Sequence, residues 1–401
     1  MRWDLVFTGF QTCTMAVLMR LVSVTILAAT LVICAPAQVQ QEANPSDAIA
    51  FEQQGRWADA VQVWQRVTEK NSRDAAAFAS MGIDLARQQK YSEAASAYRQ
   101  ALRLNPKLPG IQMNLGLAEF KVGNFREAIS PLRAALATDS TNQQARTLLG
   151  LSYYGAREFA KAADHLQIAA KADPDNAELQ QMLAQSCLWA KRYSCALDGF
   201  RRILQTQPDS AAAHMLLGEA LDGMSRTPEA IAEFQTAERV SPREPNVHFG
   251  LGYLYWKSRK YDEAKAEFHN ELGVDPNHAQ AIAYLGDIEM KNKNPDAAIT
   301  LLKKAVALKN DIRFAYIDLG IVYSEQKRYD DAVAALKRAV ELDPSQPDAH
   351  YRLGRIFQLV GKKPEADKEF ATVVSIHKKA DQRADELLAP KMSNAPPALR
   401  R

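Results

Sequence analysis

Apolar residues along this chain recur at i, i+3, i+4 and i+7 over most of residues 41–380, the spacing of one face of an α-helix. The apolar blocks come in pairs. The first block of each pair surrounds a small residue. Gly82, Gly116, Gly150, Gly218, Gly252, Gly286, Gly320 and Gly354 are separated by 34 residues or twice 34, and the two missing slots hold Ala48 and Ala184. Twelve residues after each of these ten positions stands an alanine, running from Ala60, Ala94, Ala128 and Ala162 through Ala196, Ala230, Ala264 and Ala298 to Ala332 and Ala366. The second block opens on an aromatic in seven periods (Trp57, Tyr91, Phe125, Phe159, Tyr193, Tyr261 and Tyr329) and continues to residues such as Tyr98, Phe200, Phe234 and Phe268. Proline closes six periods, at Pro106, Pro174, Pro208, Pro242, Pro276 and Pro344. An uninterrupted period of this length predicts ten helix-turn-helix units, starting at residues 41, 75, 109, 143, 177, 211, 245, 279, 313 and 347. The Gly and Ala slots lack bulk, so the paired helices are expected to cross at the short end of the usual spacing of about 8–10 Å. Proline cannot continue a helix and stops the second one.

The two ends depart from the period. In residues 1–37, Arg20 precedes an uncharged, mostly apolar run from Leu21 to Cys34, and Ala35-Pro36-Ala37 follows it. A basic flank, a short apolar stretch and small residues at an A-x-A site predict a signal peptide cleaved after Ala37, and hence a periplasmic or secreted protein. The alternative is an uncleaved inner-membrane anchor over residues 15–34. With Asn44-Pro45-Ser46-Asp47 where a helix normally begins, the first unit is expected to start late, on a Ser46 cap. The solenoid is expected to span 38–380. Beyond it, Asp381–Leu388 predicts a short polar capping helix, and the tail through Pro396-Pro397 to Arg401 reads as disordered.

Charge narrows the function classes. With 50 basic and 47 acidic residues the chain lacks the basic excess of a nucleic-acid groove. No Gly-rich phosphate loop or G-x-S-x-G elbow is present. His214, His248 and His350 occupy one slot of three units, so they read as repeat-face residues, and His269 and His278 have no partners at a ligand spacing. The chain is therefore not expected to be an enzyme, nor to hold a metal or cofactor.

The 34-residue period, the Leu-Gly pairs such as Leu115-Gly116 and Leu217-Gly218, the recurrent alanine and the closing proline resemble the tetratricopeptide-repeat family over residues 41–380. The resemblance implies an all-α, right-handed solenoid whose first helices line the inner surface. It also implies that a protein or peptide ligand lies along an inner groove, touching residues two, five, nine and twelve of each unit. Those positions include Met113, Leu117 and Phe120, then Leu151 and Tyr154, then Glu219 and Asp222. Further along they include Asn246, Phe249, Tyr253 and Trp256, and finally Tyr351 and Arg355. The family's clamp for acidic C-terminal tails uses Lys and Asn at the fifth and ninth positions. Met113, Leu117, Phe249 and Tyr253 stand there instead, so capture of such a tail is not expected. Phe249, Tyr253 and Trp256 form a stripe at i, i+4 and i+7 that either meets a ligand or packs against neighbouring units. In the mature chain Cys187 and Cys195 flank the turn of one unit, either as a disulfide or as two buried thiols. The functional expectation is a non-catalytic interaction scaffold outside the cytoplasm, without a membrane span in the mature chain. The alternative is an accessory of an envelope polysaccharide synthesis or export machine.

Overall fold

Each period folds into a pair of helices. The computed structural model describes residues 44–388; the leader, residues 41–43 of the first unit and the tail beyond Leu388 lie outside the described residues. The first helices are α1 (Pro45–Gln53), α3 (Ala75–Arg87), α5 (Ile111–Val122), α7 (Gln143–Gly155), α9 (Ala177–Trp189), α11 (Ala211–Gly223), α13 (Val247–Lys257), α15 (Ala279–Lys291), α17 (Arg313–Glu325) and α19 (Pro347–Leu359). The second helices are α2 (Trp57–Lys70), α4 (Tyr91–Leu104), α6 (Phe125–Thr138), α8 (Phe159–Ala172), α10 (Tyr193–Thr206), α12 (Thr227–Val240), α14 (Tyr261–Val274), α16 (Pro295–Leu308), α18 (Tyr329–Leu342) and α20 (Lys363–Leu388). The chain is an all-α solenoid of ten helix-turn-helix units.

Local chemistry sets the boundaries. Asp74, Asn142, Asn176 and Ser210 cap first helices by accepting the N–H three residues on, and His278 does the same through its ring. Asn44, rather than the expected Ser46, caps α1 and accepts from the Ser46 N–H, because Pro45 occupies the first helical position and offers no N–H. The turn inside every unit rests on one left-handed residue: Gly55, Gln89, Gly123, Arg157, Lys191, Ser225, Arg259, Lys293, Lys327 and Gly361, each 34 residues after the last. The next N–H reaches back to a carbonyl five residues earlier, as Lys90 does to Leu85 and Arg192 to Cys187, which satisfies the end of the first helix. Across the turn of the fifth unit, Cys187 and Cys195 are joined as a disulfide with Cα atoms 5.8 Å apart.

The small residue of each first helix is a seat for a large one sixteen positions later. A Cβ on Gly82 would lie 2.5 Å from the Tyr98 ring, and one on Gly252 would lie 2.7 Å from Phe268. Gly116, Gly150, Gly286 and Gly320 seat Leu132, Leu166, Leu302 and Leu336 in the same way. The fifth unit has Ala184 in this slot and moves the glycine across the interface: a Cβ on Gly199 of α10 would stand 2.6 Å from the Ala184 Cβ. Gly199→Ala alone is expected to overpack this crossing and cost about 1–3 kcal/mol. The exchange Ala184→Gly with Gly199→Ala is expected to recover part of that loss, as read by thermal unfolding. An exchange no more stable than Gly199→Ala would show that the two positions do not compensate.

The three histidines sharing one slot act as ties. His214, His248 and His350 each place Nδ1 against a carboxylate of their own second helix, Glu233 at 2.6 Å, Glu267 at 2.8 Å and Glu369 at 2.6 Å. Each Nε2 faces the carbonyl of the proline closing the previous unit, at Pro208, Pro242 and Pro344. They join the loop to both helices of the next unit.

At the far end the expected short capping helix over Asp381–Leu388 is not a separate element. It is the continuation of α20, which runs unbroken from Lys363 to Leu388, because no proline or glycine interrupts it before Pro390. No described helix is long and apolar enough to cross a membrane.

Candidate functional site

First helices of successive units touch one another, α3 with α5, α5 with α7, α7 with α9, α9 with α11 and α15 with α17, whereas the second helices make no comparable contact. The row of first helices is therefore the tighter, inner side of the array, and its exposed edges form a groove.

The groove changes character along its length. On α5 and α7 it is mostly apolar, and it turns polar on α9 at Glu178, Gln181 and Gln185. Met113, Leu117, Phe120, Leu151 and Tyr154 are half-buried on α5 and α7, leaning on the central core while keeping part of their surface open. Tyr154 donates its hydroxyl to Gln185 Oε1 at 2.6 Å and lies beside the Trp189 ring. Burial pushes the Tyr154 hydroxyl up to about 12.

From α11 to α17 aromatics and carboxyls alternate. Asp222, nearly buried, accepts from Lys257 Nζ at 2.6 Å and from the Thr227 hydroxyl at 3.3 Å. Trp256 donates its indole N–H to Asp287 Oδ2 at 2.5 Å, and Lys291 holds the other oxygen at 2.7 Å. The Tyr253 ring stacks near that of Trp256, with centroids 6.2 Å apart, and Tyr284 stands edge-on to both. Two carboxyls in this stretch have no hydrogen-bond donor among the described residues, Glu219 on α11 and Asp318 on α17. Burial, and then the Asp222 charge, push Glu219 up to about 8. Burial and the Asp287 charge push Asp318 up to about 7, against the opposing pull of Lys291 and Arg352.

Two residues of the expected groove set do not line it. Phe249 is only 3% exposed and packs among Phe268, His278 and Tyr284, so it is part of the joint between two units. Asn246 holds that joint from its polar side: its N–H donates to Glu271 and its Oδ1 meets His278 Nε2 at 3.0 Å. Tyr253 and Trp256 keep open surface, so the stripe divides between packing and groove. Tyr351 and Arg355 are exposed on α19. Asp287 sits at a ninth position and was within reach of the positional rule. Tyr284 and Asp318 sit at sixth positions, which that rule does not include.

Among the described residues, Glu238, His248 and Glu267 bring three metal-capable atoms within 4.8 Å of one another. Both ring nitrogens of His248 are already engaged, by Glu267 and by the Pro242 carbonyl, in the same tie that recurs at His214 and His350. The trio is a variant of the helix tie.

Sequence models described as tetratricopeptide repeat match residues 47–109, 79–145, 113–177, 215–257 and 249–311 and residues 153–220, and one described as TPR repeat matches 320–361. No curated protein matches the chain in sequence. Among solved structures it is similar to the APC/C hetero-tetramer Cut9-Hcn1, at 14% identity and TM-score 0.50, over 86% of this chain and 82% of that one. It is also similar to a tetratricopeptide repeat protein from Parabacteroides merdae, at 18% identity and TM-score 0.46, over 62% of this chain and 98% of that one. YrrB, described as a TPR protein with an unusual peptide-binding site, shares 21% identity over 44% of this chain and 91% of its own, at TM-score 0.36. These identities speak for the fold alone. The models together match more than half of the residues, and the chain belongs to the tetratricopeptide-repeat family.

Proposed function

We propose that the chain is a non-catalytic scaffold working outside the cytoplasm, which holds an extended peptide or a segment of a partner protein along its inner groove. The observation that carries the groove reading is the half-buried apolar row Met113, Leu117, Phe120 and Leu151 on adjacent first helices. Apolar side chains in a concave setting gain most by being covered. The extracytoplasmic reading rests on the basic, apolar and A-x-A order of residues 1–37, and the Cys187–Cys195 disulfide suits an oxidising compartment. A second reading, an accessory of an envelope polysaccharide machine, draws on the stacked rings of Tyr253 and Trp256, since ring faces also suit sugars.

Cell fractionation with N-terminal sequencing is expected to find the protein in the periplasm or medium, beginning at Gln38. A chain retaining Met1 in the cytoplasm would overturn the location. Quantitative affinity capture with the full chain is expected to yield a protein partner that is lost with Leu117→Glu and Leu151→Glu together. Retention of the same partner by that variant removes the groove from the reading. Binding of a neutral oligosaccharide in place of any protein favours the second reading.

A further inference from the structure

We propose that the stretch of groove from α11 to α17 binds the cationic side chains, lysine or arginine, of an extended basic peptide segment. This rests on the groove reading above and names the chemistry of its ligand.

The argument starts from hydrogen-bond satisfaction. Buried polar groups are nearly always paired, and a buried carboxyl without a donor is an exception that needs a cause. Asp222 has Lys257 and Thr227, and Asp287 has Trp256 and Lys291. Asp318, on the same inner row, is 8% exposed and has no donor. The charges it feels come from the first helices on either side, Asp287 and Lys291 of α15 and Arg352 of α19. Glu219 is half-buried, also has no donor among the described residues, and feels Asp222 of its own helix, whose partner Lys257 comes from α13. Between these two carboxyls along the row stand the part-exposed rings of Tyr253 and Trp256, with Lys291 Nζ already 5.7 Å from the Trp256 centroid. An ammonium or guanidinium supplies the donor that both carboxyls lack and adds to the positive charge that Asp318 already feels from Lys291 and Arg352, and the Tyr253 ring favours the same cation through its face. A neutral sugar hydroxyl would supply the hydrogen bond but gain nothing from the charge.

The proton balance gives the inference a signature. In the empty groove both carboxyls stand above the usual carboxylate range, at about 8 for Glu219 and about 7 for Asp318. A bound cation favours the ionised form and lowers both. Below the free-groove value, binding must expel a proton, so affinity rises with pH by up to about tenfold per unit for each carboxyl. The rise ends above about pH 8, where both are already ionised. A ligand recognised by shape or by neutral hydrogen bonds follows no such course.

The test uses two fluorescein-labelled dodecapeptide pools, randomised with neutral residues. One carries two fixed arginines, the other two citrullines, which keep the shape and lose the charge. Anisotropy titration with the full-length chain at pH 8 is expected to show the arginine pool binding at least tenfold more tightly. The preference is expected to shrink at pH 6. Asp318→Asn and Glu219→Gln each mimic the neutral acid the fold already accommodates, and each is expected to reduce both the preference and its pH dependence. Equal binding of the two pools at pH 8 overturns the inference and leaves the groove reading standing. Binding of neither pool, with a neutral hexasaccharide bound instead, overturns both.

Discussion

Replacing Phe234 by alanine is expected to cost about 3–5 kcal/mol and to split the unfolding of the solenoid into two transitions. Phe234 is 1% exposed and serves two interfaces at once. Its ring lies on Gly218 of its own unit, where an added Cβ would come within 2.7 Å, and on Gly250 of the next unit, where it would come within 2.1 Å. One side chain therefore fills the crossing of α11 with α12 and the joint to α13. In a linear array stability is close to a sum of unit terms and nearest-neighbour terms, and a broken joint has no long-range contact to bypass it. Truncating Phe234 weakens one of each at the same place. Urea unfolding followed by circular dichroism, with hydrogen exchange to assign the segments, is expected to show units on the two sides of residue 240 melting separately. Phe370→Ala is the control, because among the described residues Phe370 lies on Gly354 of its own unit and on no glycine of a second unit. A single transition in Phe234→Ala, shifted no more than in Phe370→Ala, would show that the joint is held elsewhere.

The architecture was legible because its cause is local and repeated. A glycine seats a large residue sixteen positions later within one unit, so the 34-residue period carries the crossing from slot to slot. Features that depend on a neighbour were not legible. Seven of the ten left-handed turn residues are not glycine, and each such residue costs about 1–2 kcal/mol that nothing in its own sequence announces. Closing the helix pair over that turn offsets the cost. Phe249 and Tyr253 lie on one face of one helix, yet Phe249 is buried and Tyr253 keeps open surface. The difference comes from Phe268 of the same unit and from Tyr284 and His278 of the next. A rule that assigns groove positions by number within a unit has no access to that. The bare Asp318 escaped for the same reason, since what singles it out is the donors that α15 and α19 do not give it.

The first two units are expected to grow more stable as pH falls from 8 to 5, by about 3 kcal/mol relative to Asp84→Asn. Asp84 is 1% exposed on α3, and its Oδ2 has no hydrogen-bond partner. Burial first, and then the charge of Glu52 on α1, push its carboxyl up to about 7, while Arg87 on its own helix and the Trp64 indole of α2 pull the other way. Trp64 gives its N–H to Glu52 Oε1 at 2.9 Å, so the donor nearest the pair is already committed. In the unfolded chain the Asp84 carboxyl ionises near its ordinary value of 3.8. A folded value raised above the unfolded one means that the fold prefers the acid. Stability from this group is full below about pH 4, falls as pH rises between the two values, and stays low above about 7. Asp84→Asn fixes the neutral form and offers Glu52 an amide donor, so it is expected to stabilise α1–α4 at pH 8 and to match the unsubstituted chain more closely at pH 5. Hydrogen exchange of α1–α4 at both pH values reads the difference directly, and the substituted protein cancels the titration of every other carboxyl. Equal protection of the two proteins at pH 8 would show that Asp84 is accommodated as an anion. The first unit would then owe its stability to its apolar cluster, Ala48, Ala60, Val63, Trp64 and Val67 with Ala77 of the second unit.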